Sequence, residues 1–87
     1  MYNVGDYVKR GSYVFRVAQV FTAADGTQAV WLFGAWNILR HQNGDLIDVA
    51  MAGGILQPAS KAEFIAHTME LKRQINDKLD SILESVE

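Results

Sequence analysis

Cysteine is absent from this 87-residue chain, which excludes disulfides, thiolate metal sites and cysteine nucleophiles together. Histidine is scarce as well. With only His41 and His67, a zinc site would need carboxylates to complete it, so no metal ion and no cofactor is expected. No apolar run reaches the roughly 18 to 20 residues of a membrane span. Asp6 precedes any apolar stretch, so the N-terminal residues lack a secretory pattern. The expectation is a soluble, cytoplasmic protein without membrane contact.

Basic charge is also in short supply. The formal net charge is −2 and the pI is near 5.6, which disfavours an electrostatic nucleic-acid binder, because neutralising phosphates takes clustered Lys and Arg. Residues 1–59 are neutral, with Lys9, Arg10, Arg16 and Arg40 against Asp6, Asp25, Asp45 and Asp48. The segment 60–87 carries the whole deficit. A chain this small buries only about 60 to 65% of the surface its unfolded state exposes. Without disulfides or a metal, dense packing or association with another chain must supply the remaining stability.

What is present reads as a β body followed by a helix. Val4–Gly11 forms a short strand and turn, and Tyr13–Phe21 alternates as a strand, with Tyr13, Phe15, Val17 and Phe21 on one face and Val14, Arg16, Ala18 and Val20 on the other. Both faces are largely apolar, so Arg16 has to reach an edge or a partner. Asp25-Gly26 is a hairpin turn, from which a strand returns over Gln28–Phe33. Gly34 bends or ends it. The apolar residues Trp36, Ile38 and Leu39 fit either a third long strand or one turn of helix. Asn43-Gly44-Asp45 is a further turn before a strand over Leu46–Ala50. Gly53-Gly54 breaks that strand, Ile55 and Leu56 make a last contact, and Pro58 closes the region.

Short strands at this spacing predict a small, strongly bent antiparallel sheet or barrel. The opening Val4-Gly5-Asp6-Tyr7-Val8, followed after a Gly-containing turn by Tyr13-Val14-Phe15-Arg16-Val17, resembles the first two strands of SH3-like small barrels. The resemblance covers about the first third of the chain and implies a fold only; no functional residue of that family carries over.

Residues 60–87 are the clearest element. Ser60-Lys61-Ala62-Glu63 is a capping box, and nothing interrupts the helix from there to Val86. Its length of about 39 Å at 1.5 Å per residue exceeds the width of a 60-residue barrel. A heptad frame places Ile65, Ile75, Leu79, Ile82 and Val86 at its apolar positions, with Phe64, Met69, Leu71 and Leu83 widening the stripe. Phe64, Ile65 and Met69 are expected to pack on the body. The distal residues Ile75, Leu79, Ile82, Leu83 and Val86 then form an oligomer interface, giving a homodimer or homotetramer; the alternative is a helix folded back over the open end of the barrel. The fold class is therefore α+β, one structural domain with a β body over 1–59 and an oligomerisation helix over 60–87.

Chemistry is sparse. No nucleophile with its base, no metal set and no phosphate loop is visible, so no catalytic residue is expected and the chain is read as non-enzymatic. Arg40-His41-Gln42-Asn43 is the densest polar group of the body, and Trp36 nearby has the character of an interface anchor. Arg16, Trp36, Arg40 and His41 are the candidate ligand- or partner-binding residues. The leading reading is an oligomeric interaction protein with a host protein partner; its composition is similar to that of accessory proteins of bacteriophages and mobile elements, including inhibitors of host defence. The alternatives are a module that sequesters a small anion or nucleotide on Trp36, Arg40 and His41, and a nucleic-acid-binding barrel using Lys9, Arg10, Arg16 and Arg40.

Overall fold

Five short strands, one turn of helix and one long helix follow one another in a computed structural model that describes residues 2–49 and 55–86. Strands β1 (Tyr7–Arg10), β2 (Tyr13–Thr22) and β3 (Gln28–Phe33) lead to helix α1 (Ala35–Leu39), then to β4 (Asp45–Asp48), β5 (Leu56–Pro58) and helix α2 (Lys61–Val86). All pairings are antiparallel and the strand order is β4-β3-β2-β1-β5. The sheet curls into a half-barrel. The α+β class holds, as does the long C-terminal helix. Ala50 and Gly53-Gly54 lie outside the described residues, as does the side chain of Val86.

The concave face holds the core: Val8, Phe15, Val17, Val30, Leu32 and Leu56, flanked by Tyr13, Val20, Trp36, Ile47 and Val49. Each such side chain removed from water contributes about 1.5 to 3 kcal/mol. The alternation expected for β2 holds only as far as Val17. There the register shifts, Val17 pairing with Leu32 and Gln19 with Trp31, so Ala18 is the extra residue of a bulge and every later side chain changes face. Val20, not Phe21, therefore joins Val17 on the core, and Phe21 is left 47% exposed.

The segment after Gly34 is helical. Asn37 is fully buried, and its Oδ1 accepts the Gly34 N–H at 2.7 Å, fixing the first turn of α1. The helix ends in a Schellman arrangement, the Gln42 N–H donating to the Asn37 carbonyl (2.8 Å) and the His41 N–H to that of Ile38 (3.2 Å). Trp31 lies on the convex face and is half-buried. Its indole N–H donates to the Asn43 carbonyl at 3.1 Å, which anchors the turn into β4.

The capping box of α2 forms as expected. The Ser60 N–H donates to Glu63 Oε2 (2.8 Å) and the Glu63 N–H to Ser60 Oγ (3.1 Å). The Ser60 N–H donating to its carboxylate, with the Lys9 ammonium beside it, holds the Glu63 carboxyl below the usual range. Phe64 then packs on Tyr7 with ring centroids 5.2 Å apart, and Leu71 is buried while His67, Thr68 and Ile75 are half-buried. Ile65 and Met69 are exposed, against expectation. A straight helix drifts about 20° per heptad relative to a strict seven-residue repeat. The frame that fits Ile75, Leu79 and Ile82 has therefore rotated off the body by the first turns, where Phe64, Thr68 and Leu71 take over. No helix among the described residues is long and apolar enough to cross a membrane.

Candidate functional site

Two features of the fold stand out as sites: a groove between α1 and α2, and the bare distal half of α2. The groove exists because one turn of helix after β3 sets Trp36 against the start of β2. The Trp36 ring stacks on Tyr13 at 4.3 Å between centroids, and the Arg40 guanidinium carbon sits 5.3 Å from the Trp36 ring centre. Tyr13 in turn meets the edge of His67 at 5.9 Å. The far wall is one face of α2, where Glu70, Gln74 and Lys78 recur at four-residue steps. The groove encloses about 630 Å³.

Its electrostatics are net cationic. Glu70 is engaged by Arg73 (Nη2 to Oε1, 2.6 Å) and Gln74 (3.3 Å), and the Arg73 hydrogen bond holds its carboxyl below the usual range. Neither Arg40 nor Lys78 forms an ion pair among the described residues. A guanidinium lying over an indole keeps its edge donors free, which suits a planar two-pronged anion such as carboxylate or phosphate.

The structure brings together only two of the four candidate side chains. Trp36 and Arg40 line the groove. Arg16 sits on the convex face, beside Tyr7 and Phe33 in register, and lines a separate cavity of about 340 Å³ with Val4 and Phe64. His41 is exposed and its backbone is left-handed (φ 55°), the position after a helix at which Gly or Asn is usual. Its place is thus a helix stop. Replacing His41 with glycine is expected to stabilise the fold by about 1 kcal/mol, since an L-residue there costs about 1 to 2 kcal/mol; a lowered melting temperature would contradict that role. Lys9 and Arg10 alternate faces on β1, and Lys9 is 3.4 Å from Glu63, so the four basic residues of the body do not share one face.

Tyr13, Lys78 and Glu70 are groove residues that sequence reasoning did not single out. The four-residue spacing of Glu70, Gln74 and Lys78 was legible, but its meaning depended on α1 being a helix. Among the described residues no group of three or more His, Asp or Glu is placed to hold a metal ion. Comparison with protein-family models, curated proteins and solved structures gives no match to this chain.

His67 ties this region to pH. Burial pushes its pKa down, and its Nδ1 is buried with no hydrogen-bond partner. As pH falls through about 6.5, the ordinary imidazole value, the unfolded chain takes a proton before the folded one. Its stabilising contribution is complete above that pH and is lost as pH falls toward the depressed folded value. The carboxylates held low, Asp25, Glu63 and Glu70, lose theirs only below about pH 4.3. Melting temperatures from pH 7.5 to 5.5 should therefore fall for the parent and stay flat for His67→Gln; equal slopes would refute the assignment.

Proposed function

We propose that this chain is a non-enzymatic, homo-oligomeric interaction protein, in which the distal half of α2 joins copies and the β body presents a surface to a partner macromolecule. One observation carries the reading. The molecule extends 60 × 23 × 20 Å, and on the projecting end of α2 Leu79, Ile82 and Leu83 are 53%, 59% and 66% exposed. A helix end of this length is marginal alone in water, and an apolar stripe on it has its use in packing against another chain.

The convex face of β2–β4 supports the presenting role. Phe21, Phe33 and Leu46 are exposed there around the half-buried Trp31, an aromatic-rich surface of the kind that anchors partners. We read the half-barrel as SH3-like; the order β4-β3-β2-β1-β5, with β1 between β2 and β5, supports this. Such a body fits a cytoplasmic accessory protein of a phage or mobile element that binds a host protein. Native mass spectrometry of the protein purified gently from its own host tests the assembly. A mass at two or more chains is expected, and a strictly single-chain mass would overturn the reading.

The Arg40 and Trp36 stack favours a second reading, capture of a small anion such as a nucleotide in the α1–α2 groove. Titration with adenosine monophosphate and with inorganic phosphate should then show binding that Arg40→Ala weakens at least about tenfold, the equivalent of about 1.4 kcal/mol, without changing the assembly mass. Binding unchanged in that variant would sink the reading.

A further inference from the structure

We propose that α2 pairs antiparallel with the α2 of a second copy over residues 75–86, sending the two β bodies to opposite ends of the assembly. Self-association, proposed above, is the premise; the pairing direction is what the position of the body adds.

The bare stripe and the packed stripe are one face of one helix. Phe64, Leu71 and Ile75 are the positions at which the body covers α2, and Leu79 and Ile82 follow Ile75 at the four- and seven-residue steps that keep to the same side. The body thus occupies the N-terminal half of the seam that the distal half leaves open. A parallel partner would have its own body at the same level and on the same side. The molecule measures 23 × 20 Å across its two short axes, so two bodies would then stand between helices whose packed axes lie about 8 to 10 Å apart. Antiparallel pairing avoids this. Each bare half covers the other over about 18 Å, and each helix tip stops at the edge of the partner's body.

Charge points the same way. From position 77 to 86 the helix carries Asp77, Asp80 and Glu84 against Lys78 alone. In-register parallel pairing would set each of these charges against its own copy, Lys78 against Lys78 included, within a Debye length of about 8 Å. Antiparallel pairing over 75–86 sets residue 77 opposite 84, so Lys78 of each copy neighbours Glu84 of the other instead of a second Lys78. The resulting two-fold arrangement is closed and uses the same patch on both chains.

The absence of cysteine makes the test direct, because one introduced thiol is the only labelling point. Nitroxide labels on Lys61→Cys, at the exposed start of α2, and separately on Ser81→Cys, at the middle of the paired segment, are measured by pulsed dipolar spectroscopy alongside native mass spectrometry. Antiparallel pairing predicts an even number of chains, a distance between the two 61 labels on the order of 60 Å, and a distance between the 81 labels under about 25 Å, from 1.5 Å per residue. A multimer with the 61 labels closer than about 40 Å overturns the pairing direction and leaves self-association standing. A multimer with both distances long places the contact elsewhere and overturns the proposal. A single-chain mass overturns self-association and the pairing with it.

Discussion

Aspartate at both Leu79 and Ile82 should convert the assembly to single chains while the β body stays folded. Both side chains lie on α2 beyond Ile75, the last half-buried residue of the helix, and both are more than half exposed, so neither substitution uncovers the body's core. Each places a carboxylate in the middle of the apolar seam, where two copies would have to bury like charges against each other. The freed distal turns should also fray, because every described side chain after Ile75 is exposed and the last turn carries no basic residue to favour the helix dipole. Native mass spectrometry reads the change in chain number, and circular dichroism reads a partial loss of helical signal. Sheet melting should move little at concentrations where the parent is already dissociated. A double variant that assembles like the parent would show that copies meet through another surface.

Gly44→Ala is expected to cause the largest loss of stability of any single-atom-scale change in the body. Gly44 has φ 134°, and a Cβ added there would lie 2.3 Å from Trp31 Nε1 and 2.8 Å from the Leu32 carbonyl oxygen. The first neighbour is the atom that bonds the Asn43 carbonyl, and the second is backbone of β3, so neither can give way without opening the β3–β4 pairing. Strained backbone of this kind costs about 1 to 3 kcal/mol, and displacing the Trp31 hydrogen bond adds about 1 kcal/mol. For a domain of this size each 1 kcal/mol lowers the melting temperature by about 4 to 8 °C, so a fall of roughly 8 to 32 °C is predicted. Gly26→Ala is the control: its φ is also positive (88°), but nothing lies within 4 Å of the added Cβ. Its loss should be the smaller one, about 1 kcal/mol of backbone strain. Equal effects at the two sites would show that the Trp31 contact is unimportant.

Much of this was legible in the sequence because the signals were local. The capping box at Ser60, the Asp25-Gly26 and Asn43-Gly44 turns and the alternation of Gln28–Phe33 each depend on residues within one turn or strand of one another, and each is found at its expected position. The unbroken helix to Val86 and the exposure of Leu79, Ile82 and Leu83 belong to the same group. So does the absence of cysteine, which is a fact of composition.

Tertiary structure decided what depends on register and on neighbours distant in the chain. The bulge at Ala18 exchanged Val20 for Phe21 on the core face, because an extra residue is defined only against the partner strand, and no pattern within β2 contains it. The fate of Trp36 turned on whether Ala35–Leu39 was strand or helix, which short apolar periodicity does not separate; burial of Asn37 and its bond to Gly34 settled it. The body covers Phe64, as expected, but then Leu71 instead of Ile65 and Met69, because a straight helix follows a 3.6-residue repeat and the face chosen depends on where the sheet meets it. Which charges share a groove is likewise a matter of the docking of α1 against α2: Arg40 and Lys78 are 38 positions apart in sequence, and only that docking sets them along one cavity.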